Sequence, residues 1–258
     1  MLFYFQKKWY LLLAIAALIN HVCIGLSDEA RAKGFVYLHE VDPTILTSVR
    51  YATSENFTGK SVIGYNKPVV ILTKPTAEAL KKVQAAIKKD GYGLVVYDGY
   101  RPQQATDYFV SWFGQIASSG EQCQYYPRIL RHKILESGCM AKRSGHSRGS
   151  TVDVTLIQID KSLQPVKVSE RRLFDGFFIK YLDDGTLDMG TSFDLFDKSS
   201  HHVNYLIAKS YKKCRSYLKI VMEMHGFKAC NNEWWHYTLE NEPHVANDDR
   251  SYFDFAVE

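Results

Sequence analysis

Apolar residues recur at two periods along this chain, and the switches between them outline its elements. Val69-Val70-Ile71-Leu72 is a continuous apolar run of strand length, after which Thr73 and Pro75 signal a helix start. Leu80, Val83 and Ile87 then repeat at helical spacing until Asp90-Gly91 stops them. Leu94-Val95-Val96-Tyr97-Asp98 reads as a buried strand ending at Gly99-Tyr100-Arg101-Pro102, and Pro102 suits the first position of a helix running to about Phe113. Shorter strands are expected at Phe35–Leu38 and Ser48–Thr53, whereas Cys123–Arg143 reads as irregular. From Ser150 to Ile157 the β-branched residues Thr151, Val152, Val154 and Thr155 predict another buried strand. A polar, hairpin-like segment follows, with Asp183-Asp184-Gly185 as its turn, and then a loop of short polar side chains from Leu187 to Asp194. Ile207, Tyr211, Cys214, Leu218 and Val221 form the stripe of an amphipathic helix over 203–224, ended by His225-Gly226. Trp234 to Leu239 is the last strand. Strands dominate and helices fall irregularly between them, so the expected class is α+β: a single domain with a mostly antiparallel central sheet flanked by helices.

The first residues stand apart from this pattern. Lys7 and Lys8 precede a nearly unbroken apolar run, Trp9 to Leu18, and Cys23 and Gly25 are small residues at −3 and −1 of a cleavage point before Leu26. Residues 1–25 therefore read as a secretory signal peptide. The run is short for the ~20 residues of a membrane span, so no stable membrane insertion is expected once it is removed. Residues 26–258 form one domain without linker, repeat or low-complexity tract. Loss of Lys7 and Lys8 lowers the formal charge from +4 to +2, too slight a bias for a nucleic-acid partner. The cysteines left are Cys123, Cys139, Cys214 and Cys230, an even number that in an exported chain favours two disulfides. Three connectivities are possible, and the local pairs Cys123–Cys139 and Cys214–Cys230 are preferred. No Cys-x-x-Cys pair supports a structural zinc site instead.

The chemistry concentrates in Ser144-Gly145-His146-Ser147-Arg148-Gly149-Ser150-Thr151-Val152-Asp153 and in Glu233-Trp234-Trp235-His236. A glycine-flanked loop carrying His146 feeds the strand that carries Asp153, so both side chains can turn to one point. A hydrolytic zinc site needs three protein ligands, an open position for water and a nearby base. His146, Asp153 and His236 fill the first role, and Glu233, three residues before His236, the last. Arg101, at a strand-to-helix junction, is placed to stabilise an oxyanion. Each residue alone has an ordinary reading: a loop histidine, a buried hydrogen-bonded acid, a salt-bridging arginine. His201, His202 and His225 are rival ligands, and His225 suits a helix C-terminus better. No Gly-x-Ser-x-Gly elbow supports a serine triad around Ser144 or Ser150.

These stretches, with Asp98-Gly99-Tyr100-Arg101-Pro102 and Asp188-Met189-Gly190-Thr191-Ser192-Phe193-Asp194, resemble the signatures of the zinc D-alanyl-D-alanine dipeptidases of the VanX type. The resemblance runs from about Tyr37 to Phe255 and implies an α+β zinc fold shared with murein carboxypeptidases and hedgehog signalling domains. It implies one Zn²⁺ on His146, Asp153 and His236, Glu233 as catalytic base and Arg101 on the tetrahedral intermediate. Tyr51, Tyr65, Ser144 and Asp188 would line a small dipeptide pocket. On this basis 26–258 is a catalytic domain whose partner is a D,D-dipeptide, exported and most simply periplasmic. The segment between Asp153 and Asp188 is longer than the family leads one to expect. A murein carboxypeptidase acting on longer stems is the alternative, and a non-catalytic zinc-binding module a further one.

Overall fold

The computed structural model describes residues 25–115, 124–136, 141–245 and 247–258. The expected signal segment, save Gly25, and the expected Cys123–Cys139 bridge lie outside the described residues. In chain order the elements are α1 (Asp28–Ala32), β1 (Phe35–Tyr37), α2 (Leu38–Val41), β2 (Leu46–Thr47), β3 (Ile71–Thr73), α3 (Lys74–Ile87), β4 (Tyr92–Asp98) and α4 (Gln103–Gly114). They continue with β5 (Thr151–Gln158), β6 (Lys167–Arg172), β7 (Phe178–Asp183), α5 (Lys209–Met224), β8 (Phe227–Ala229) and β9 (His236–Leu239). The central sheet has the order β2-β4-β5-β9-β8 and is antiparallel except for the β2–β4 pair. β1 pairs with β3, and β6 with β7. This is the α+β arrangement expected from the sequence. Among the described residues, no helix is long and apolar enough to cross a membrane.

β4 and β5 form the centre because their side chains are buried on both faces from Gly93 to Asp98 and from Thr151 to Ile157. α3 packs its Ala77, Leu80, Val83 and Ile87 face into the same core. Its buried Gln84 is satisfied by accepting from the Leu94 N–H at 2.7 Å and donating to the Thr44 carbonyl at 3.0 Å, which ties helix to sheet. Register then does something specific. Asp98 on β4 lies opposite Asp153 on β5 across an irregularity between Val96 and Asp98, and Asp153 lies opposite His236 on β9. Three ionisable side chains from distant segments thus form one row across β4, β5 and β9.

Four expectations change. Ser48–Thr53 is not a strand: Arg50–Ala52 is a 3₁₀ turn, held by the Asn56 amide donating to the Arg50 and Thr53 carbonyls. The hairpin turn lies at Leu173–Phe177, where Gly176 takes φ +87°, because Asp184 is drawn instead into a buried pair with Arg50. Helix α5 begins at Lys209 and not at 203, since Asn204 folds its side chain onto the His201 carbonyl and the Leu206 N–H. The expected Cys214–Cys230 disulfide is absent, and both are free thiols. Cys214 sits on α5 within reach of the Asp188 charge, whereas Cys230 lines the cavity beside Glu233, so the two face different surroundings.

The His146 loop is a 3₁₀ turn, Gly145–Arg148, capped by the Ser144 hydroxyl and closed by Gly149 at φ +78°. A Cβ at Gly149 would lie 2.1 Å from Phe35, whose ring is wedged between Tyr100, Phe253 and Phe255 and has no room to yield. Gly149→Ala is therefore expected to cost about 2–4 kcal/mol from left-handed backbone and overpacking together. It should lower the melting temperature by about 5–15 °C. A melting curve indistinguishable from wild type would show that the wedge is not rigid. Residues 253–257 brace the loop from outside. The Phe253 N–H donates to the Ser147 carbonyl and the Phe253 carbonyl accepts from Gln103, while the Val257 N–H reaches the Gly64 carbonyl.

Candidate metal centre

The row at the sheet end converges on one point. Nε2 of His146, Oδ1 of Asp153 and Nδ1 of His236 are separated by 3.3 Å, 3.4 Å and 3.0 Å. Donors held ~2.0–2.1 Å from a tetrahedral zinc lie about 3.3 Å from one another, so this triangle fits that ion. His146 Nδ1 is 2.8 Å from the Gly99 carbonyl, which can only accept, so Nδ1 carries the proton and Nε2 presents its lone pair. Burial alone would push the Asp153 carboxyl up, but His146 and His236 beside it pull it well below the usual carboxylate range. An ionised Asp153 between two imidazoles is the donor set a divalent cation requires, and His146 and Asp153 are both buried.

A cavity of about 170 Å³ opens onto these donors, walled by Tyr51, Arg101, Ser144, Asp194, Phe196 and Glu233, among others. Arg101 is buried, with Nε and Nη2 on Asp98 Oδ2 at 3.0 Å and 2.9 Å, and Nη2 is 3.8 Å from Asp153 Oδ2. Its guanidinium also stacks over Tyr51 and Phe109, 5.1 Å and 5.2 Å from the ring centroids, so its position is fixed from three sides. Glu233 Oε2 is 3.5 Å from His236 Nδ1. Burial pushes its carboxyl up to about 7, with His236 and Arg101 opposing and Asp153 reinforcing the rise.

Of the pocket residues expected from sequence, Tyr51 and Ser144 line the cavity, and Tyr65 and Asp188 do not. The Tyr65 hydroxyl donates to Asp98 Oδ1 at 2.6 Å, behind Arg101. Asp188 is turned away, bound to both terminal nitrogens of Arg171 at 2.6–2.7 Å. Sequence reasoning passed over Asp98 and Asp194. Asp98 was legible as an acid ending an apolar strand three residues before an arginine. Asp194 is the only non-glycine residue at positive φ among the described residues, at +59°, and its carboxylate accepts from the Tyr51 hydroxyl at 2.8 Å. No residue pattern announces that backbone. The rival histidines are elsewhere: His225 Nδ1 meets the Val221 carbonyl at the end of α5, and His202 packs against Tyr237.

A family model described as D-Ala-D-Ala dipeptidase matches residues 31–170 and 179–258, nearly all of the described chain. The chain belongs to that family. Members of the D-Ala-D-Ala dipeptidase family similar to it include D-alanyl-D-alanine dipeptidases from Enterococcus faecalis, 38% identical over 87% of this chain and 98% of that protein, and from Streptomyces coelicolor, 36% identical over 86% and 98%. A D-alanyl-D-alanine dipeptidase of Escherichia coli is 26% identical over 79% of this chain and 83% of its own length. The chain is thus a metallopeptidase, with zinc the metal of its family site. Residues 171–178, the end of the β6–β7 hairpin, fall between the two matched stretches.

Proposed function

We propose that this peptidase hydrolyses free D-Ala-D-Ala to two D-alanines, using His146, Asp153 and His236 to hold zinc. The reading is carried by one observation: the donor triangle, a fixed arginine and the partly buried Glu233 share the walls of a single cavity of about 170 Å³. That volume lies below the ~300–1,000 Å³ of pockets for drug-sized ligands and suits a very small substrate. Zinc held there supplies a Lewis acid and an acidified water at neutral pH.

The chain's own residues supply the rest. Glu233, on the cavity wall beside His236, takes the proton of the attacking water and passes it to the leaving amine nitrogen as the amide C–N bond breaks. Arg101 faces the same cavity with its charge assured by Asp98, and donates to the oxygen on which negative charge develops. Asp194, anchored by Tyr51, is the acceptor for the substrate ammonium, and Ser144 a hydroxyl for its carboxylate end. Residues 1–25 act as an export signal on this reading, which places the reaction outside the cytoplasm on D-Ala-D-Ala released there.

Steady-state kinetics on free D-Ala-D-Ala and on a pentapeptide stem ending in D-Ala-D-Ala test the proposal. The dipeptide is expected to have the higher kcat/KM. A preference for the pentapeptide would make the enzyme a carboxypeptidase. Zinc-loaded protein inert on both would point to a binding module.

A further inference from the structure

The cavity wall formed by Asp194 and Phe196 belongs to a loop, 188–197, that is strained at Asp194 and has no regular structure of its own up to Asp197. The β6–β7 hairpin grips it at three places. At its start, Arg171 holds Asp188 through paired hydrogen bonds of 2.7 Å and 2.6 Å, with the guanidinium stacked 3.8 Å from the centre of the Tyr181 ring. In its middle, Leu195 lies between the two wall residues and is buried in a small separate cluster with Leu173 and Ile179 of the hairpin. At its end, the buried Asp197 has its Oδ2 2.8 Å from Arg128 Nε, a charge contact without hydrogen-bond alignment. Arg128 in turn donates to both oxygens of Asp175 in the hairpin turn, at 2.6 Å and 3.2 Å, and stacks 4.1 Å from the centroid of Phe177. The Phe196 N–H donates to the Tyr125 carbonyl at 2.7 Å, so the strand of chain carrying Arg128 runs directly along the wall.

Arg171, Leu173, Asp175 and Phe177 all fall within 171–178, the stretch the family model leaves unmatched. We propose that this hairpin end is a clamp that positions the 188–197 wall loop, and through it Asp194, for substrate binding. It contributes nothing to the cavity directly: none of its residues lines it. Its action is to hold a loop whose backbone would otherwise relax away from φ +59° at Asp194. Single exposed ion pairs contribute little, but paired, partly buried and stacked arginine–carboxylate contacts at both ends of a short loop restrict it cooperatively. The clamp's effect on catalysis rests on the dipeptidase reading above; its effect on the loop does not.

Arg171→Gln, Asp175→Asn, the double variant and the conservative Arg171→Lys test this in the zinc-loaded full chain. For D-Ala-D-Ala the double variant should raise KM by about tenfold, the scale of one lost charged hydrogen bond. Its kcat should stay within about twofold of wild type, because the groups acting on the transition state are untouched. Arg171→Lys should recover part of the loss in KM caused by Arg171→Gln. Amide hydrogen exchange should quicken over 188–197 and stay unchanged in β4 and β5. Unaltered exchange in that loop would overturn the proposal. So would a fall in kcat that tracks a general loss of thermal stability, since that marks a merely structural hairpin. Wild-type enzyme that leaves D-Ala-D-Ala intact would sink the dipeptidase reading and leave the exchange measurement to decide on the clamp.

Discussion

His236→Ala should lose zinc and peptidase activity together. With His236 gone, the ion would keep His146 Nε2 and Asp153 Oδ1, which stand 3.4 Å apart on the same side of the site. Two protein ligands hold zinc poorly: disturbing even an outer-shell partner costs 10–100-fold in affinity, and removal of a direct donor costs more. Activity should fall to background at zinc concentrations that saturate the wild type. The fold should survive, because His236 is partly exposed and sits at the end of β9, with Tyr237 and Leu239 supplying its buried contacts. His225→Ala is the control. Its Nδ1 meets the Val221 carbonyl at 2.7 Å, remote in role from the donor triangle, so that variant should retain a full complement of zinc. Elemental analysis after gel filtration, paired with hydrolysis assays, decides the matter. One zinc per chain in His236→Ala would remove it from the ligand set.

The second large effect is expected at Glu233. Glu233→Gln keeps the shape and should keep zinc, while kcat drops by ~10²–10⁴, the usual consequence of removing a positioned general base. In the site without metal, burial lifts the Glu233 carboxyl to about 7. Zinc bound beside it would draw that value down and favour the ionised form. Arg101 separates from Glu233 in kind. Arg101→Ala would leave Asp98 buried without the donor that now sits 2.9–3.0 Å away, so loss of folding could be confused with loss of catalysis. Arg101→Lys avoids this, keeping the charge without the planar fork, and should lower kcat more than it raises KM. Zinc loss in Glu233→Gln would make Glu233 a ligand and undo this division of roles.

The donor set was legible because each half of it is local. A glycine-bounded histidine seven residues before an aspartate on a β-branched strand, and a glutamate three before a histidine, are spacings that survive in one dimension. Their meeting was not readable; it depends on β5 pairing with β9 so that Asp153 faces His236. The same reason explains the misplaced residues. Asp188 stands in a polar motif close to Asp194, and only the arginine on the unmatched hairpin reveals which of the two aspartates is drawn off. The hairpin turn was mislocated because Asp183-Asp184-Gly185 has the chemistry of a tight turn, yet Arg50, more than a hundred residues earlier, claims Asp184 for a buried pair. The even cysteine count suggested a bridge between Cys214 and Cys230, yet Cys214 sits on α5 and Cys230 lines the cavity, and both are free thiols. Periodicity found α3 and β4 well, since those elements are defined by burial along their own length.

The brace formed by residues 253–257 carries a consequence for how the protein is made. The turn that aims His146 is tied to Phe253, and Gln103 at the head of α4 is tied to the same residue. A ribosome delivers His236 after His146 and Asp153, and this brace after His236. Until then a nascent chain owns two of the three donors and no fixed turn to present them. A site assembled before residues 253–257 are in place would therefore lack the tie that aims His146 at the other two donors.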